Sequence, residues 1–266
     1  MKQKVLKMLA EFSGKRTVRL TNSGNSAIFL SLLIAKSLGK KKIAIPDQGG
    51  WLTFRTFPAD LNLKTIEIKT DYGVVDLKDL GKKIDSKTAL LITNMAGYIA
   101  QQPIGQIAEL CRQKGCLFIV DNTDSISADG SADIYIGSFG VWKPVNLEYG
   151  GFIAANKDFF QKIDKEYFLM FKFDTDKLRG LYEKLVDLNN RLNKFFDLNE
   201  KIKKDLGDFD IIHRDKKGIN VAVKFKSQGG KNKILKYCRK NNLEYTLCPR
   251  YIRVNEKAVS IEVKRI

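Results

Sequence analysis

Short strand-like runs, most of them continuous apolar stretches, recur at residues 42–45, 64–68, 89–93, 117–120, 134–138 and 152–155, each separated from the next by a more polar stretch. A strand with one wet face alternates apolar and polar residues; a strand covered on both faces reads as a continuous apolar run. Ahead of the first run, residues 25–37 place Ile28, Leu32 and Ala35 on one helical face, and between the third and fourth runs residues 106–114 end before Gly115 as a connecting helix. The pattern predicts an α/β fold: a mostly parallel sheet with helices on both faces, plus a small C-terminal α+β domain. The expected boundaries are a large domain over 1–158, a connecting helical segment over 159–206 and the small domain over 207–266.

The connecting segment carries Leu178, Leu181, Leu185, Leu188, Leu192, Phe195, Ile202 and Leu206 at three- and four-residue spacing. This predicts one amphipathic helix of roughly 30 residues, about 45 Å long, bridging the two domains, with Asn199 interrupting the stripe. Beyond it, residues 210–213 and 220–225 read as strands, 231–240 as a helix, and further strands are expected near Tyr245, Ile252 and Ile261.

At 266 residues and 44% hydrophobic the chain can bury a sizeable core. No segment approaches the roughly 20 apolar residues of a membrane span. Near the N-terminus Val5, Leu9 and Phe12 follow helical spacing, without a signal-peptide core. The expectation is a soluble, cytoplasmic protein with no membrane contact. Cys111, Cys116, Cys238 and Cys248 form no CxxC pair and His213 is the only histidine, so no metal site is expected. A Ser-His-Asp hydrolase would have to use His213, which falls in an apolar strand-like run. A formal net charge of +17 invites a nucleic-acid partner or an anionic substrate. The basic residues are interleaved with acidic ones and form no tail, so a lysine-rich surface accounts for them as well.

Three features fall where strand ends should lie. Residues 21–27, Thr-Asn-Ser-Gly-Asn-Ser-Ala, precede an apolar helix; the free N–H groups of such a helix start bind phosphate, and an ordinary N-cap explains them equally. Asp121 closes an apolar run and so lies at the carboxyl edge of the sheet, where open α/β sheets bind ligands. A carboxylate there needs a partner, which a cationic ring nitrogen or a local backbone N–H would supply. Lys143 stands between Trp142 and Pro144, just past another run and outside the solvated lysine clusters. Partial burial would lower its pKa and free the amine to attack carbonyls; a snorkelling surface lysine is the plain alternative.

In this order the pieces resemble the fold-type-I pyridoxal-phosphate enzymes, and most of all the DegT/DnrJ/StrS sugar aminotransferases. The family's Ser-Gly-Thr-x-Ala turn reads Ser23-Gly24-Asn25-Ser26-Ala27 here. Its Glu-Asp-Ala-Ala strand end, followed by Gln or His, reads Val120-Asp121-Asn122-Thr123-Asp124. Its Ser-Phe-x-x-x-Lys-Asn-Leu reads Ser138-Phe139-Gly140-Val141-Trp142-Lys143, then Pro144-Val145-Asn146-Leu147. The family's later glycine pair and asparagine match Gly150, Gly151 and Asn156, so the resemblance covers roughly residues 17 to 158.

The resemblance implies a seven-stranded-type sheet in the large domain, pyridoxal 5'-phosphate as cofactor, Lys143 as its Schiff-base lysine and Asp121 as the partner of its ring nitrogen. It implies that the Gly24 and Asn25 N–H groups and the Ser138 hydroxyl hold the phosphate and that Trp51 stacks on the ring, one residue further from Pro46 than in the family. Asp124 takes the place of the Gln or His that helps position a ring substituent. The implied reaction is amino transfer from an amino acid to a keto-sugar, nucleotide-linked, in a homodimer. The part after residue 158 is shorter than in usual members, and Arg250 there is a candidate partner for a substrate carboxylate. A pyridoxal-phosphate lyase or desulfurase-like enzyme, and a non-catalytic binding protein of the same fold, remain as alternatives.

Overall fold

The computed structural model describes residues 1–126 and 130–266. Its main sheet has seven strands: β1 (Thr17–Thr21), β2 (Lys42–Pro46), β3 (Lys64–Ile68), β4 (Thr88–Thr93), β5 (Leu117–Asp121), β6 (Ile134–Ser138) and β7 (Gly151–Ala155). Their order across the sheet is β1-β7-β6-β5-β4-β2-β3. β6, β5, β4, β2 and β3 pair in parallel, whereas β7 runs antiparallel to both β1 and β6. Every residue of β5 and of β7 is buried, the signature of strands covered on both faces.

Two apolar layers cover the sheet. On one face α2 (Gly24–Ser37) and α3 (Thr53–Asp60) pack Leu30, Ile34 and Phe54 against Ile43, Leu91, Ile119 and Ile153. On the other, α1 (Lys2–Ser13) and α4 (Ile104–Lys114) pack Leu9 and Ile107 with Leu90, Phe118 and Ala154. The edge strand β1 carries no continuous apolar run: only Val18 and Thr21 are buried, and Arg19 lies over the Phe160 and Phe168 rings. That half-wet edge is why its sequence shows no strand signal.

The predicted long helix is two helices. Leu178–Val186 and Leu188–Asp205 meet at Asp187, whose carboxylate accepts a bond from Asn190. The apolar stripe continues across the break, with Leu185 and Leu188 both 1% exposed. Asn199 does not interrupt it: its amide is buried in line with the stripe and donates to the Asn220 carbonyl at 2.9 Å.

The C-terminal unit is a three-stranded antiparallel sheet of β8 (Val221–Lys224), β9 (Tyr245–Leu247) and β10 (Ala258–Ile261) with the helix Gln228–Lys240. The strand expected at 210–213 is reduced to one bridge, Ile211 to Val223, because His213 turns the chain at φ 51°. Ile252 sits in a turn rather than a strand.

This unit seats on the loops at the carboxyl end of the main sheet. The Tyr98 carbonyl accepts from the N–H groups of Ile219 and Asn220, both at 2.9 Å, and Gly49 N–H donates to the Tyr251 carbonyl at 2.6 Å. Gly97 has φ 54°, and a Cβ there would lie 2.7 Å from the Arg253 carbonyl oxygen, so only glycine permits the approach.

Beneath the seat lies a buried ion pair. Glu262, fully buried, accepts from Arg253 Nε at 2.8 Å and Nη2 at 2.6 Å, and from Asn220 and Ser260. Burial pushes the Glu262 carboxyl up, but Arg253 outweighs it and the pKa falls to about 2. Glu262→Gln leaves the Arg253 charge without its partner, so it should destabilise the fold by about 3–5 kcal/mol in urea unfolding near neutral pH. The pair's contribution is present above the ordinary carboxyl value of 4.5 and is lost as pH falls through about 2. The two proteins' unfolding curves should therefore converge in acid.

Candidate active site

Strand ends, the start of α2 and the C-terminal unit enclose a cavity of about 470 Å³ at the carboxyl edge of the sheet. Ser23, Gly24, Asn25, Trp51, Asp121, Ser138, Lys143 and Arg250 all line it. Asp124 does not: although it stands three residues beyond Asp121, its oxygens accept from Asn94 Nδ2 at 3.0 Å and from Met95 N–H at 2.6 Å. The expectation that it faces the cofactor is therefore corrected. The tight turn after β5 points Asp124 behind the cavity wall, where burial holds its pKa up at about 7.

The parallel strands deliver the polar groups. Asp121 ends β5, with Oδ1 accepting from the Thr123 N–H at 3.0 Å and the Thr123 hydroxyl at 2.5 Å. Burial pushes its pKa up, opposed by those two bonds and by Lys143. A buried carboxylate in that condition is stabilised by a cation placed against it. Thr123 also accepts from the Ser138 N–H at 2.9 Å, so one hydroxyl ties the ends of β5 and β6 together.

Helix α2 opens at the neighbouring strand end. Ser23 caps it, accepting from the Ser26 N–H at 3.1 Å, which leaves the Gly24 and Asn25 N–H groups at the first turn, where a helix has no internal acceptor for them. A Cβ on Gly24 would come within 2.5 Å of Ser138 Cβ, so the glycine lets the helix start reach the end of β6. Asn25 Oδ1 accepts from Trp51 Nε1 at 2.9 Å and orients the indole.

Lys143 follows β6 in a loop held in unusual backbone: Trp142, Asn146 and Glu148 all have positive φ, 59°, 46° and 65°. The Asn146 side chain accepts from the Trp142 N–H at 2.8 Å. Lys143 is half-buried; its Nζ donates to Tyr98 Oη at 3.0 Å and lies 4.5 Å from the centre of the Trp51 ring. Thus Asp121, Lys143, Trp51 and the phosphate-type helix start share one cavity.

Residues 2–195 match the DegT/DnrJ/EryC1/StrS aminotransferase family, and residues 189–266 match the MJ1341 family C-terminal domain. The chain belongs to the DegT/DnrJ/EryC1/StrS aminotransferase family. Its cofactor is pyridoxal 5'-phosphate. Solved structures share the fold: the serine palmitoyltransferase of Sphingomonas wittichii has a TM-score of 0.74 at 13% identity, over 97% of this chain and 69% of that one. 3-Amino-5-hydroxybenzoic acid synthase has a TM-score of 0.73 at 14% identity, over 99% and 85%. A probable glycine dehydrogenase (decarboxylating) subunit 1 of Staphylothermus marinus is 31% identical over 140 residues, which cover 47% of this chain and 29% of that protein.

The residues present fit the cofactor. The cavity offers an aromatic face at Trp51, helix-start N–H groups beside the Ser138 hydroxyl, an amine at Lys143 and a desolvated carboxylate at Asp121 suited to a protonated ring nitrogen. Several wall residues were not picked out from the sequence: Tyr98, Thr123, Arg253, Lys264 and Arg265. Thr123 was findable, since a threonine two residues beyond a strand-end aspartate is placed for an Asx-type turn; the others lie far from the motifs in sequence. Thr123→Val should keep the fold and weaken pyridoxal-phosphate affinity about tenfold by losing a charge-assisted bond. Thr123→Ser should restore affinity, with both read by equilibrium titration of the cofactor's absorbance.

Proposed function

We propose that this family member transfers the amino group of an amino acid to a keto-sugar, nucleotide-linked. The observation that carries the pyridoxal-phosphate part of this reading is the pairing of Lys143 and Asp121 in one cavity, with a phosphate-type helix start against Ser138 at the end of β6. The keto-sugar part rests on the motifs shared with sugar aminotransferases.

Bound here, pyridoxal phosphate supplies an electron sink next to the substrate's reacting carbon. Asp121 keeps a negative charge against the ring nitrogen and so keeps that nitrogen protonated. Thr123 fixes the carboxylate's direction through its N–H and hydroxyl. Gly24, Asn25 and Ser138 would hold the phosphate, and Trp51 would offer its face to the ring. Lys143 would anchor the cofactor and would hold and return a proton at the substrate carbon, with Tyr98 Oη accepting from its amine. The C-terminal unit supplies the outer wall through Arg250, Arg253, Lys264 and Arg265.

Substituting the two central residues separates their roles. Lys143→Ala should fold and still bind the phosphate group, but borohydride should no longer fix the cofactor to the protein, as read by intact-protein mass spectrometry. Asp121→Asn should keep covalent capture while turnover falls by about three powers of ten, the equivalent of roughly 4 kcal/mol. If Lys143→Ala retains the borohydride adduct, another amine is the anchor and the reading is wrong.

We also propose a homodimer. Leu52, Val141 and Trp142 are 55%, 46% and 48% exposed, although the last two line the cavity. Apolar side chains left open beside a site are what a second copy covers. Light scattering of the cofactor-loaded protein should give twice the 30.2 kDa chain mass; a monomer that holds the cofactor covalently would overturn this arrangement.

A further inference from the structure

The buried cluster in the C-terminal unit holds more positive charge than its own carboxylate uses. Glu262 faces Arg253, Lys264 and Arg265, but Arg253 takes both its oxygens at 2.8 and 2.6 Å. Lys264 Nζ is left at 3.7 Å and Arg265 Nε at 3.8 Å from Glu262 Oε2, beyond good hydrogen-bond range. Arg265 finds a second partner in Glu244, whose side chain is 56% exposed, yet its buried Nε makes no hydrogen bond among the described residues. Lys264 is 3% exposed; besides Glu262 its amine has the Trp142 carbonyl at 3.2 Å and the Tyr98 ring at 4.7 Å. An ammonium has three protons to donate, and Lys264 and Arg265 both line the same cavity as Lys143.

A buried cation such as Lys264, with no carboxylate in hydrogen-bond range, is costly to keep without an anion to meet it. The loop of Lys143 contributes only a neutral carbonyl and the Trp142 ring, which lies 4.3 Å from the Arg265 guanidinium. We infer that Lys264 and Arg265 form an oxyanion subsite in the cavity wall, which binds a carboxylate or phosphate group of the substrate. This rests on the reading of the cavity as the substrate site and assigns its recognition to the C-terminal unit. A donor's carboxylate and an acceptor's diphosphate share this chemistry.

The subsite has its own proton signature. Burial, then Arg253, lower the Lys264 pKa to about 7; Lys143 and Arg265 add to this and Glu262 opposes it. A bound oxyanion favours the charged amine, so its arrival between about pH 7 and 8 should draw a proton from solvent. At lower pH the amine is already charged and the uptake vanishes.

The test is calorimetric titration of the cofactor-loaded protein with glutarate in one arm and uridine diphosphate in the other, each in buffers of different ionisation enthalpy. At least one probe should bind with proton uptake at pH 7.5. Lys264→Gln and Lys264→Met should weaken that probe about tenfold or more and abolish the uptake. Lys264→Met removes a buried charge at similar volume, so it should fold even where Lys264→Gln does not. Lys236→Gln, on an exposed surface of the helix Gln228–Lys240, should change nothing and so controls for the chain's general positive charge. Which arm responds tells a carboxylate site from a diphosphate site. The inference is overturned if neither probe binds, or if the Lys264 variants bind both as the unmodified protein does. Cofactor loading, followed separately by its visible absorbance, distinguishes this failure from failure of the pyridoxal-phosphate reading; if no cofactor is taken up, the same titrations of the unloaded protein still decide the role of Lys264.

Discussion

A single buried carboxylate, Glu262, determines how the C-terminal unit meets the rest of the molecule. An unpaired charge at that depth would shift its pKa or unfold its surroundings. Arg253 prevents this with a two-point bond, and Asn220 and Ser260 satisfy what remains. Asn220 and Arg253 each carry the constraint outward. The Asn220 N–H donates to Tyr98, whose phenol meets Lys143, and the Arg253 carbonyl presses on Gly97. Asn199, from the connecting helix, donates to the Asn220 carbonyl. The carboxylate thus fixes β8, the connecting helix and the Tyr98 turn in one arrangement, and the cavity's outer wall follows from it.

The inner wall depends on strand ends rather than on salt bridges. Parallel strands finish at one edge, so Asp121 on β5 pairs with Ile136 on β6, and Ser138, 17 residues from Asp121 in sequence, ends β6 two residues further on. Thr123 converts that adjacency into a fixed distance, donating to Asp121 and accepting from the Ser138 N–H. On the open side, the positive φ angles at Trp142, Asn146 and Glu148 bend the Lys143 loop over the same edge. The loop is held there by the Lys264 amine, which donates to the Trp142 carbonyl, and by the Arg265 guanidinium against the indole. Strained backbone of this kind persists only where neighbours over-determine it, and here the neighbours belong to the C-terminal unit.

How far the sequence revealed this architecture depends on how local each signal is. The buried strands announced themselves because two-sided burial leaves continuous apolar runs, as at Leu117–Asp121 and Gly151–Ala155. β1 was silent because one side of it is wet and Arg19 occupies that side. The helix break at Asp187 was hidden because the leucine spacing runs straight through it, so a change in backbone leaves the stripe unbroken. Asp121, Ser138 and Lys143 were legible as part of a spaced motif. Lys264 and Arg265 were not: in a chain with 47 lysines and arginines, nothing local marks two of them as buried. Their position depends on Glu262, Trp142 and Tyr98, which come together only through the tertiary fold.

Asp124 shows the same limit from the other side. Its spacing from Asp121 suggested a group facing the cofactor, where an acidic side chain would repel negative charge on a ring oxygen. Asn94 and the Met95 N–H instead take its two oxygens on the far side of the wall. Burial and the neighbouring Asp121 raise its pKa to about 7, so near neutrality it carries only part of a charge. The two carboxyl groups therefore divide the work by environment. Asp121 lines the cavity, and a cation placed against it there would favour its ionised form. Asp124, turned away and partly neutral, braces the turn that aims it. The same residue type three positions apart serves as a site group in one case and as scaffolding in the other, and the direction of the hydrogen bonds, rather than the spacing, makes the difference.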